Sequence, residues 1–271
     1  MLESVKEDFS QIFAIAGKNV KMTLRFKLNL ILSLLNPLLG IVMPLIILGT
    51  LFTFTENFGP WNKENFVVYQ FTTYQIMLIF QIVSRFQTSI ALEKGLNTLT
   101  MILLAPFKKI NLLFGIFLSH LALISIPFVT FFIICYFFYP VSIFTVFFVL
   151  FVFFLLALFF SGIGLVFGVF VIAKQRLVNL LNYPITLLLM FSCISLPFQF
   201  FPENFQFIVK LNPFYYLFNI IRLIWIEDNI IISFSSHLGY FIIVFLVAVI
   251  SPIFGLKFFN YVYEKYGIAV Y

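Results

Sequence analysis

Apolar runs close to the length of a membrane crossing follow one another along most of the chain, parted by short polar, basic or proline-containing breaks. A bilayer core takes about 20 helical residues. Runs at about 28–54, 66–84, 111–138, 143–172, 178–198 and 238–259 therefore predict six transmembrane helices in a single domain, residues 1–271. The predicted class is an all-α polytopic membrane protein. Pro37, Pro44 and Pro127 fall inside these runs, where a bundle tolerates a bend if neighbours satisfy the freed carbonyls.

Three stretches depart from that pattern. In residues 4–24, Val5, Phe9, Ile12, Phe13, Ala16 and Val20 recur at helical spacing while Lys6, Glu7, Gln11, Lys18 and Lys21 take the other side. That predicts an amphipathic helix lying along the interface. The segment Glu93 to Lys109 is short, amphipathic and flanked by Lys and Arg, which places it on the cytoplasmic face. In 199–229, Asn212-Pro213 opens an apolar piece of about 13 residues, a length that predicts a re-entrant rather than a spanning segment.

Polar residues inside the runs are few and ordered. Gln70, Tyr74, Gln81 and Thr88 fall on one face of the second span, and Asn179, Asn182, Thr186 and Cys193 on one face of the fifth. Such faces either line a path or hydrogen-bond between helices, the latter typically contributing about 0.6 kcal/mol per pair in a bilayer. Ser161, Gly164 and Gly168 form a small-residue stripe that lets helices approach closely.

Composition narrows the class. With 63% hydrophobic and 10% charged residues, the chain is no soluble domain and leaves no room for an extramembrane catalytic one. The net charge of +6 is explained by its distribution rather than by nucleic acid. Lys63, Lys210 and Arg222 fall in the two charged loops read as external, against 13 Lys and Arg in the pieces read as internal, out of 16. The positive-inside rule then gives six spans in a plasma membrane with both termini cytoplasmic. Glu3, Glu7 and Asp8 occupy what would be the positive region of a secretory signal, so none is expected.

No predicted span interior carries Asp, Glu, Lys or Arg, which argues against an ion-coupled carrier or channel, the alternative reading. No phosphate-binding loop is present, so ATP hydrolysis is not expected in this chain. Cys135 and Cys193 read as small buried hydrophobes, and His120 and His237 are isolated in the sequence. No metal site or catalytic set is expected, which weakens a membrane-enzyme reading.

The order Glu93, Asn97-Thr98-Leu99-Thr100, Met101-Ile102-Leu103-Leu104, Ala105-Pro106, Lys108-Lys109 resembles the cytoplasmic segment of type-2 ABC exporter permeases. That family's usual pattern is a Glu, then Gly-Thr-Leu-Glu, a few Leu and a Pro before basic residues. Asn97 replaces the Gly and Thr100 the second Glu. Leu211-Asn212-Pro213-Phe214-Tyr215-Tyr216 followed by Arg222 is similar to the family's outer segment before its last span. The resemblance implies a half-transporter: two copies, or one with a homologue, joined by two ATP-binding subunits that hold ATP and Mg. It implies that residues 93–106 form the coupling helix, with Glu93, Asn97, Thr98, Leu99, Leu103 and Pro106 as its contacts. It further implies that Gln70, Tyr74, Gln81, Asn179, Asn182 and Thr186 border the path, and that Asn212, Pro213, Tyr216 and Arg222 belong to an outer gate. The cargo expected is apolar or amphipathic (a drug, a lipid or a lipid-linked glycan), because Phe, which greatly outnumbers Trp and Tyr here, cannot hydrogen-bond sugar hydroxyls.

Overall fold

A chain this apolar can bury its backbone polar groups in a bilayer only by closing them within helices. The computed structural model of the protein, which describes residues 2–52, 57–96, 98, 101, 108–173 and 175–266, is accordingly almost all helix. Helix α1 (Leu2–Arg25) leads into α2 (Lys27–Leu51), and a two-residue hairpin, β1 (Asn57–Phe58) and β2 (Trp61–Asn62), turns the chain at Gly59. Gly59 has φ +63°, and a Cβ there would lie 2.0 Å from the Gln199 amide, so only glycine fits the turn.

Helices α3 (Phe66–Phe80) and α4 (Ile82–Gly95) follow, parted by the single residue Gln81. Next come α5 (Lys109–Phe138), α6 (Ile143–Ala173) and α7 (Gln175–Met190). After a turn of 3-10 helix (Phe198–Phe200) come α8 (Glu203–Leu211), α9 (Pro213–Glu227), α10 (Ile230–Ser236) and α11 (Leu238–Tyr266).

Among the described residues, four helices are long and apolar enough to cross a membrane: Phe66–Gly95, Ile110–Phe138, Ile143–Val171 and Leu238–Val262. The pair α8–α9, bent by 91°, makes a fifth if counted as one span. Two expectations differ in detail. The helix expected to end near Ser84 runs on to Gly95, so Arg85 lies within a candidate span. The run expected at 178–198 is helical only to Met190, and its C-terminal end unwinds over 191–196.

Packing follows the small residues. At Gly162 a Cβ would stand 2.2 Å from Ser251 Oγ, and at Gly255 one would stand 2.6 Å from the Gly162 carbonyl, so α6 and α11 meet backbone to backbone. Gly164 and Gly168 face Phe86 and Ile90 of α4 in the same way. Aromatic rings fill the space between α6 and α9, with Phe160 and Phe214 edge-to-face at 5.8 Å and Phe159 and Phe214 at 5.4 Å. Other Phe side chains, such as Phe137 and Phe144, point outward.

Candidate functional site

Two polar constellations mark the two ends of the α3–α4 helix. Tyr69 and Glu93 lie 24 residues apart along it, or about 36 Å at helical rise.

The first is built on α1. Its Ala16 and Asn19 are buried against the bundle, while Phe9 and Phe13 remain exposed. Asn111, in the first turn of α5, donates to Asp8 Oδ1 and to Gln11 Oε1, both at 2.8 Å, and Lys108 pairs with Asp8. The Lys108 hydrogen bond, and then that of Asn111, hold the Asp8 carboxyl below its ordinary value. Farther along α1, Lys18 pairs with Glu93, which is 8% exposed near the end of α4. The Thr98 hydroxyl donates back to Glu93 Oε2 at 2.5 Å, and the Thr98 N–H to the Glu93 carbonyl at 3.0 Å. One carboxylate thus joins the surface helix, the end of α4 and the first turn of the segment that follows.

Of the expected coupling residues, the structure brings Glu93 and Thr98 into contact; Asn97, Leu99, Leu103 and Pro106 lie outside the described residues. The partners Asp8, Lys18 and Asn111 were not singled out from the sequence. Their signal was faint: Asp8, Gln11 and Lys18 are spaced to share one side of a helix, but nothing local says what that side meets.

The second constellation surrounds Arg222. Asn212 caps α9, its Oδ1 accepting from the Phe214 N–H at 3.0 Å, and Pro213 occupies the first helical position. This pairing of an N-cap with a proline is what allows the sharp turn from α8 into α9. Tyr216 donates to the Lys210 carbonyl at 2.6 Å across the same bend. The helix so started carries Arg222 inward until it is 1% exposed.

There its guanidinium lies 3.6 Å from the centroid of the Tyr69 ring and donates to Thr72 and Thr73 of α3 at 3.3 and 2.8 Å. It also donates to the Cys193 and Ile194 carbonyls at 2.8 and 2.6 Å. Those carbonyls belong to the unwound end of α7, where Cys193 has φ +56°. Tyr69 and Thr73 add their hydroxyls to the same two oxygens. Irregular backbone at membrane depth persists only when protein satisfies it, and here one arginine and three α3 side chains do so.

Arg222 was expected in an external loop, at a cost of a few kcal/mol if taken to depth. That cost assumes an unpaired charge, whereas this guanidinium is hydrogen-bonded all round. At the other end of α9, the Trp225 indole donates to the Tyr139 carbonyl at 3.0 Å and Asp228 accepts from the Ser142 N–H at 2.7 Å. The Asp228 carboxyl stays below its ordinary value: burial pushes it up, and the Ser142 N–H with the Thr145 and Ser142 hydroxyls outweighs that.

The six residues expected along the path separate into two groups. Gln70 and Tyr74 are packed inside the chain, with Gln70 Nε2 reaching the Ser195 carbonyl at 3.4 Å and Gln70 Oε1 unmatched. Gln81 opens onto a cleft. Asn182 and Thr186 of α7 are exposed, and the side chain of Asn179 lies outside the described residues. Among the described residues, the buried Gln70 and Tyr74 of α3 and the exposed Asn182 and Thr186 of α7 do not meet within one copy of the chain.

No group of three or more His, Cys, Asp or Glu among the described residues is arranged to hold a metal. No match to a curated protein was found. The family description "ABC-2 type transporter" fits residues 10–226, a stretch that begins in the surface helix and ends beyond Arg222, and so takes in Lys18, Glu93, Thr98 and Arg222. The chain belongs to the ABC-2 type transporter family, as a membrane-spanning permease subunit that works with an ABC ATPase subunit.

Proposed function

We propose that the chain is half of an exporter, with six spans and both termini on the cytoplasmic side of the plasma membrane, moving an apolar or amphipathic cargo outward. ATP and Mg belong to the partner ATPase, and two permease chains, identical or homologous, enclose the path. The observation that carries this reading is the Glu93 carboxylate, which ties Lys18 of α1 to Thr98. A push delivered to the segment after Gly95 is thereby shared by α4 and the surface helix. Because α1 is also fastened to the start of α5 through Asp8, the same push tilts several helices together.

The exposed Asn182 and Thr186 support a second copy, since polar groups facing lipid alone are costly and a facing permease chain would cover them. The outer segment around Arg222 serves as the gate. Its alternative positions require that the guanidinium exchange the Cys193 and Ile194 carbonyls for other partners in the opened state.

The test is co-expression of the chain with its ATPase in proteoliposomes, with Leu99→Asp and Leu103→Asp as variants. ATP hydrolysis is expected to persist while ATP-dependent flux falls at least tenfold. Flux equal to the parent in both variants would overturn the coupling assignment.

A further inference from the structure

Among the described residues, Arg85 is a cation within a candidate span whose guanidinium meets no carboxylate, carbonyl or hydroxyl. It is half-buried on α4, and the acid farther along that helix, Glu93, is already taken by Lys18 and Thr98. Arg85 opens instead on a cleft of about 760 Å³ between α4 and the α1–α2 junction. Gln81, Ser84, Thr88 and Asn36 surround it there, with Phe26 and Leu30 on the far wall. Asn36 belongs at the same time to an adjoining groove along α2, whose other walls are Leu32, Leu35, Leu38 and Leu39.

The polarity of this space is graded, from a guanidinium with amide and hydroxyl groups to a groove lined by four leucines with Asn36 at the join. A half-buried guanidinium with no carboxylate in reach suits an anionic ligand, and its planar fork matches phosphate or carboxylate oxygens in pairs. Beyond Asn36 the four leucines of the groove offer such an anion no donor and suit a hydrocarbon chain. Met22 and Thr23 of the amphipathic α1 border the polar end, which sets that end at the level of a lipid headgroup.

We propose that this cleft is the uptake site for an anionic amphiphile, with Arg85 taking the phosphate or carboxylate headgroup and the α2 groove taking the tail. The proposal rests on the exporter reading for calling the occupant a cargo, and it narrows that cargo from apolar or amphipathic to anionic and amphipathic.

The test uses the full chain, purified with its ATPase subunit, in nanodiscs of phosphatidylcholine. Binding of fluorescent short-chain phosphatidic acid is compared with that of the phosphatidylcholine analogue of equal chain length. The parent is expected to prefer the anionic probe by about tenfold, Arg85→Gln to lose that preference, and Arg85→Lys to keep part of it. Millimolar inorganic phosphate is expected not to displace the probe. ATP is expected to drive bound phosphatidic acid to the outer leaflet of proteoliposomes.

No preference in the parent, as when a second copy covers Arg85 with an acid of its own, would overturn the proposal, as would a preference that survives Arg85→Gln. Displacement by inorganic phosphate would make this a site for the anion alone, and retention of the probe under ATP would make it a site for a resident lipid; either also overturns it. Failure of the exporter reading shows separately, as loss of the ATPase from the purified preparation.

Discussion

Arg222 concentrates more of the structure than any other side chain. It holds two carbonyls, two hydroxyls and an aromatic face at once, so replacing it leaves buried acceptors unmatched. Arg222→Ala is expected to cost about 3 kcal/mol of stability, read as a lower melting temperature of the detergent-solubilised protein. Arg222→Lys keeps the charge and loses the fork, and should fall between the two. A melting temperature unchanged in Arg222→Ala would show that the unwound end of α7 has other support.

At the corner where α1 meets α5, Asp8 makes a pH-dependent claim. Its folded pKa is depressed below the ordinary 3.8, so its contribution is fully present above 3.8 and is lost as the pH falls through the folded value. A spin-label distance between α1 and α5 should therefore stay constant from pH 7 down to about 4 and lengthen only below that. In Asp8→Asn it should show no such step. Lengthening between pH 7 and 5 would mean that another group fastens the surface helix.

Among the elements, the close contacts of α6 are the most exacting. At Gly164 a Cβ would stand 2.8 Å from the Phe86 ring, so Gly164→Val must force α4 and α6 apart, at about 1–3 kcal/mol. Gly17 of α1 has nothing within 4 Å of such a Cβ, and Gly17→Ala should stabilise the helix by up to about 1 kcal/mol. Thermal unfolding of the two variants, measured side by side, should move in opposite directions.

These elements were legible in the sequence to different degrees. The apolar run at 143–172 appears as α6 (Ile143–Ala173), and the amphipathic period of 4–24 as α1 (Leu2–Arg25). Both patterns are local, and helical periodicity is a local signal. The continuation of α4 past Ser84 was hidden because charge at Arg85 read as the end of a span, when the residue in fact opens on a cleft. The unwinding after Met190 was hidden because no Pro or Gly lies between Met190 and Pro197. What ends α7 is Arg222, 32 residues beyond Met190, and contacts of that range leave no trace in local spacing. The same reason explains why Glu93 could be singled out while its partner Lys18 could not.

On the scale of the whole molecule, the ties at either end of the bundle define what must move together. Near Glu93 the surface helix, α4 and the start of α5 are linked; near Arg222 α3, α7 and α9 are linked at the other end of the bundle, and Asp228 adds the turn before α6. In the proposed cycle the helices joined at Glu93 tilt together, while the Arg222 end exchanges its partners as the gate opens. The central claim is that the corner at Glu93 and Thr98 faces the cytoplasm, where an ATPase can press on it. Thr98→Cys tests this most directly, since the native Cys135 and Cys193 are both buried and free and should not compete for label. A membrane-impermeant maleimide is predicted to leave Thr98→Cys unlabelled in intact cells, to label it in inside-out vesicles, and to lose access when the ATPase subunit is bound. Labelling from outside intact cells would put the corner beyond the reach of any ATPase and contradict the account.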